Sequence, residues 1–256
     1  MPRFGNNYVF NRAQDLPYES SDTATIKGVS LKTILLLGIT IVTGLISMMM
    51  IKVDEIIALG TISLGYFISP FITLILSLIM SFKPKSAKIL AVPYAIFEGL
   101  GIGSLGMLLI AALGMAEAGL ILGLALLITV AIFMGGAVLY TSGKIAVTTR
   151  LRRIMSVLLI GVVLSSIIIA IASFFNPAIF SLFFGNNLLS LVISIVTIII
   201  ASIYTVISLD NALGIVNAGL DKNYEWYAAF GIVLNIIWLF YEIVRLLLII
   251  LSRSRD

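Results

Sequence analysis

The chain has 256 residues, 61% of them hydrophobic and 11% charged, and a mean hydropathy of +1.18. A soluble domain is roughly half apolar and a quarter charged, so this is the composition of a membrane protein. Cysteine and histidine are both absent, which excludes disulfides, thiol nucleophiles, cysteine metal clusters and the usual near-neutral base and metal ligand. Proton chemistry is left to carboxylates, tyrosines and lysines.

Residues 1–30 are polar and lack the charged start, apolar stretch and small-residue cleavage site of a signal peptide. They read as a short cytoplasmic tail, and residues 31–256 read as one transmembrane domain. Seven apolar runs follow, at 31–51, 56–80, 88–113, 118–140, 154–174, 187–220 and 224–251. Each is long enough to span a hydrocarbon core of about 30 Å as a helix. Ten-residue alternating segments are missing, and open sheet edges cannot face lipid, so a barrel is set aside. The fold class is all-α, a polytopic bundle of seven transmembrane helices.

The net charge is +4, and its cations fall mostly between apolar runs. No basic patch is interleaved with aromatic residues, so nucleic acid is not a partner. Arg3, Arg12, Lys27 and Lys32 precede or open the first run; Lys83, Lys85 and Lys88 lie between the second and third; Lys144, Arg150, Arg152 and Arg153 between the fourth and fifth; Lys222 between the sixth and seventh. The alternate loops offer Lys52 alone. Lysine and arginine concentrate in cytoplasmic loops, which places the N-terminus in the cytoplasm and, after seven spans, the C-terminus outside. Arg253 and Arg255 oppose that last placement.

The second run carries Ser63, Tyr66, Pro70, Thr73 and Ser77 on one stripe, suited to a kinked helix beside a cavity or to helix–helix hydrogen bonds. The third contains "YAIFEGLGIGSLGMLL", in which Gly101, Gly103 and Gly106 spell GxGxxG. A dinucleotide fingerprint needs a preceding strand and an acidic residue about twenty positions on, and this stretch lies inside an apolar helix. Gly99, Gly103 and Gly106 instead share a face at spacings that let a second backbone approach closely, a packing device. Pro93 predicts a kink near the start of this helix. Glu98 is the residue that needs explaining. It lies about 15 Å into the helix, where a carboxylate costs about 2.5–3.5 kcal/mol to insert. Such a group faces the protein interior and finds a partner, either as a protonated structural glutamate or as a functional one.

In the sixth run Asp210 follows "IYTVISL". With the helix continued to residue 220, Asp210 is some 16 Å from the turn at Asp221-Lys222-Asn223 and matches Glu98 in depth; with the helix ended at Ser208 it is a solvated loop residue. Ser194, Thr197, Thr205 and Ser208 share a face that Asp210 does not, and a bend near 208–210 would reconcile the two. The seventh run places Gly231, Asn235, Trp238, Glu242 and Arg245 at spacings of 4, 3, 4 and 3, marking an interior face. Asn235 lies within reach of the Asp210 level. Glu242 and Arg245 permit an i,i+3 ion pair near the outer interface, either self-neutralising or a gate.

Catalytic constellations fail. The serines have no histidine base and no GxSxG; the last helix lacks a retinal lysine; an aspartyl protease needs two facing aspartates, and Asp210 is the single membrane candidate. The chain reads as a non-enzyme with no cofactor.

"AVPYAIFEGLGIGS", "SLDNALGIV" and above all "YEWYAAFGIVLNIIWLFYEIVRLL" resemble the bacterial branch of the Bax inhibitor-1-like family, the transmembrane Bax inhibitor motif proteins. The resemblance implies seven helices with the seventh central, an integral protein of the bacterial plasma (inner) membrane, and a pH-sensitive calcium leak. In such relatives an aspartate in the sixth helix and one in the seventh share a proton, and an arginine in the second helix engages them. Asp210 matches the first. Asn235 stands at the second position and cannot titrate, and the second run has no arginine. Glu98 is therefore expected to supply the missing carboxylate, giving a Glu98–Asp210 pair hydrogen-bonded to Asn235 that also holds a passing cation. The alternative is a non-conducting regulator that binds another membrane protein, such as a membrane protease.

Overall fold

The computed structural model describes residues 22–50, 60–185 and 187–255, which form eight α-helices. They are α1 (Ile26–Met50), α2 (Gly60–Phe82), α3 (Ala87–Leu113), α4 (Met115–Thr141), α5 (Thr149–Phe175), α6 (Pro177–Phe184), α7 (Leu188–Asn217) and α8 (Tyr224–Arg255). All but α6 correspond to the seven apolar runs, with ends displaced by a few residues. Arg3, Arg12 and Lys52 lie outside the described residues, as do the side chains of Ser63 and Tyr66.

Six of the helices are long and apolar enough to cross a membrane, and α2 adds the shorter apolar stretch Ile68–Phe82. The chain is an integral membrane protein in a lipid bilayer. Its outward faces carry large apolar side chains, such as Ile34, Phe71, Leu127, Val157 and Ile168. The membrane rewards this pattern, because a helix satisfies its own backbone polar groups and leaves only side chains to the lipid. More than half of the α8 span is buried, the largest share among the six.

Contacts divide the chain into two compact units. One holds 123–210 and 235–255; the other holds the described residues up to Leu122 together with 211–234. In the second unit α1 lies against the glycine face of α3. A β-carbon on Gly103 would stand 2.6 Å from both the Gly44 carbonyl and Ser47 Cβ, and one on Gly99 would meet Thr43 and the Thr40 carbonyl. The Thr40 hydroxyl also donates to the Ala95 carbonyl at 3.2 Å. GxGxxG is a helix–helix seam, formed because glycine lets two backbones touch. Pro70 and Pro93 both lie inside unbroken helices.

In the first unit Met155, Ile200 and Ile207 form a core joined by Leu151, Ile203, Tyr204 and Trp238, which binds α5, α7 and α8. Thr148 caps α5 by accepting from the Leu151 amide at 3.1 Å. α6 starts with Asn176, whose side chain accepts from the Ala178 amide at 3.0 Å, and with Pro177 in its first turn. Both are favoured helix-start residues.

Candidate functional site

Asp210 lies within α7, seven positions before Asn217 at the helix end, or about 10 Å from it. The solvated-loop placement is thereby excluded, and so is a broken turn at 208–210. The bend is unnecessary because two faces of α7 are engaged at once. On one, Thr205 and Ser208 are buried and donate to the carbonyls of Ser202 and Thr205 at 2.6 and 2.7 Å. Back-bonding of this kind satisfies a hydroxyl inside its own helix. On the other stands Asp210.

The Asp210 carboxylate joins three helices. The Tyr140 hydroxyl donates to Oδ1 at 2.7 Å, and the Arg152 guanidinium pairs with Oδ2. Local geometry explains the meeting. Met155 packs in the same core as Ile207; three residues before one is Arg152, and three residues after the other is Asp210, so an antiparallel contact sets them opposite. On α4 the register is parallel. A β-carbon on Gly136 would lie 3.1 Å from Val206, and four residues beyond each come Tyr140 and Asp210. Tyr140 is next to last in α4 and Arg152 is in the first turn of α5. The site therefore sits at the α4–α5 end of this unit, not at mid-helix as counting from the 221–223 turn implied. About a quarter of the Arg152 and Asp210 side chains is exposed, 24% and 25%. The rest of the pair is shielded by protein.

Arg152 and Tyr140 were not among the expected site residues. Arg152 reads in the sequence as one of four loop cations, but it belongs to α5. Its guanidinium pairs with Asp210, a contact that the resemblance expected from an arginine of the second helix.

The stripe expected to be the interior face of α8 is half-buried throughout, and the buried face is instead that of Val233, Ile236, Phe240 and Val244. A β-carbon on Gly231 would meet nothing within 4 Å, while the four polar or aromatic members of the stripe engage neighbours. Asn235 donates to the Tyr204 carbonyl of α7 at 3.4 Å, more than a turn before Asp210. The Trp238 ring lies 6.0 Å from that of Tyr204, and its indole donates to Glu242 at 3.3 Å. Glu242 also accepts from Thr197 at 2.8 Å and pairs with Arg245 at 3.6 Å. Arg245 donates in addition to the Phe183 carbonyl at 2.7 Å. The expected Glu242–Arg245 pair is thus formed, and it is anchored to α7 and α6 rather than self-contained.

Glu98 belongs to the other unit, eleven residues into α3, about 16 Å from its start. Tyr94, one turn earlier on α3, and Thr73 of α2 stand beside its carboxylate. The Tyr94 ring packs edge-on to Phe230 at 5.1 Å. Glu98 thus has the polar neighbours a carboxylate in an apolar helix requires. Among the described residues no three acidic side chains converge to hold a metal ion.

A family model described as Bax inhibitor 1 like matches residues 2–252, nearly the whole chain. No curated protein and no solved structure matches it.

Proposed function

The chain belongs to the Bax inhibitor 1 like family of membrane proteins, and on that premise we propose that it is a cation leak gated by protonation of buried carboxylates. Calcium is the cargo that the resemblance implies. The reading includes a bacterial plasma membrane, a cytoplasmic N-terminus and an outer C-terminus, in keeping with the distribution of lysine and arginine.

The observation that carries the reading is Asp210 within an apolar helix, tied at once to Tyr140 of α4 and Arg152 of α5. Ionised, its carboxylate attracts the guanidinium by about 4 kcal/mol at an effective dielectric of 20, less where solvent reaches the pair. Protonated, it keeps a hydrogen bond and loses that attraction. One proton thus decides whether the starts and ends of three helices are held together. The ionised, tied form is the resting state, and protonation frees α5 from α7, so leak rises as pH falls. Glu98, deeper along α3, is the second proton-sensitive group, and Asn235 fixes α8 against α7 without titrating. Glu242 and Arg245 form the outer-side gate.

The test is flux into liposomes carrying the purified chain, with calcium, sodium and proton reporters, from pH 3 to pH 8, a window that extends below the ordinary carboxylate range. Cation entry above that of empty vesicles, increasing toward acid, supports the reading. Vesicles as tight as empty ones at every pH refute it.

A further inference from the structure

Glu225 is the most buried carboxylate of the described residues, 1% exposed, and the ion pathway makes no use of it. It occupies the first turn of α8. One carboxylate oxygen accepts from the Thr25 amide at 2.8 Å and from the Thr25 hydroxyl at 3.0 Å; the other pairs with the Lys32 ammonium. That ammonium also stands 5.3 Å from the centre of the Trp226 ring. Thr25 precedes the first residue of α1, and its hydroxyl accepts from the Gly28 amide at 3.0 Å.

This is the pattern of a capping box with one part moved. In a capping box the threonine side chain bonds the amide three residues on, and a glutamate at that third position reaches back to the threonine amide. Here the third position is Gly28, which has no side chain, and the carboxylate on the Thr25 amide comes from a residue 200 positions away. A β-carbon on Gly28 would fall directly on the Glu225 carboxylate. The space for a local glutamate is filled by a distant one.

The backbone around it forms a second attachment. Ala24 donates to the Leu220 carbonyl at 2.7 Å, Lys222 donates to the Asp22 carbonyl at 3.1 Å, and Thr23 bridges Asp221. We propose that residues 22–25 are a strap that docks on the start of α8, with Glu225 as its lock. The first turn of α1 keeps its cap only while α8 stands beside it. Displacement of the start of α8, the helix that carries Asn235 and Glu242, and release of the N-terminal segment are then one event. This stands apart from the cation reading, and its test does not measure flux.

Hydrogen–deuterium exchange on the purified full chain separates a lock from a local cap. Glu225→Ala is expected to speed exchange of the Ala24 and Lys222 amides at least tenfold, along with those of residues 25–28. Adding Gly28→Glu to that variant rebuilds the box within α1. It is expected to slow residues 25–28 again while Ala24 and Lys222 stay fast. Should the alanine variant not fold, Glu225→Gln keeps the acceptor, loses the Lys32 attraction and is expected to shift the same amides in the same direction. Unchanged exchange at Ala24 and Lys222 without the carboxylate overturns the proposal, as does full recovery of both amides in the double variant.

Discussion

Replacing Gly103 with alanine tests how α1 and α3 are joined. The new β-carbon would lie 2.6 Å from the Gly44 carbonyl oxygen and from Ser47 Cβ, where ordinary contact begins at 3.4 Å. One obstacle is backbone, so it cannot rotate away, and α1 must withdraw by about 0.8 Å along the seam. Overpacking of this kind costs about 1–3 kcal/mol. Two neighbours calibrate the effect. At Gly106 the nearest atoms are the Met48 sulfur and methyl at 3.0 Å, the flexible end of a side chain, and a cost below about 1 kcal/mol follows. At Gly119 nothing lies within 4 Å, and alanine there gains about 0.5–1 kcal/mol from helix propensity. Stability of the three variants in detergent, from thermal or denaturant titration, is expected to rank Gly119→Ala above Gly106→Ala above Gly103→Ala. Equal stability of Gly103→Ala and Gly119→Ala would refute the seam.

Two further variants probe the polar anchors. Arg245→Gln removes the pair with Glu242 and the bond to the Phe183 carbonyl; hydrogen bonds from charged groups contribute about 1.5–3 kcal/mol, so faster amide exchange is expected over 177–184 with α8 intact. Tyr140→Phe deletes one donor to Asp210 and leaves Arg152 in place. It is expected to raise resting leak at neutral pH by less than Arg152→Gln does, measured in the same vesicles.

Much of the fold was open to reading because the bilayer demands long apolar helices, and seven runs announced them. α6 was not, since "NPAIFSLFF" continues the apolarity of α5 and is shorter than a span; the Asn176-Pro177 start was its available signal. The glycine seam was readable because small residues at helical spacing have few other uses in a membrane. Asp210 could be singled out as a carboxylate in an apolar run, but its partners could not. Tyr140 and Arg152 sit at helix ends, where tyrosine and arginine are ordinary interface residues, and only the α5–α7 core contact selects Arg152 among its neighbours. Glu225 was hidden for a similar reason. An acidic residue in the first turn of a helix is expected from the macrodipole alone, and nothing local indicates that it serves α1.

The claim that Asp210 is the proton switch is tested most directly by calcium flux in vesicles carrying Asp210→Asn, measured beside the unaltered chain from pH 3 to pH 8. The amide copies the uncharged acid and cannot ionise. A leak already high at neutral pH is predicted, keeping only the pH dependence that Glu98 supplies; a leak low at neutral pH that climbs toward acid as in the unaltered chain contradicts the account.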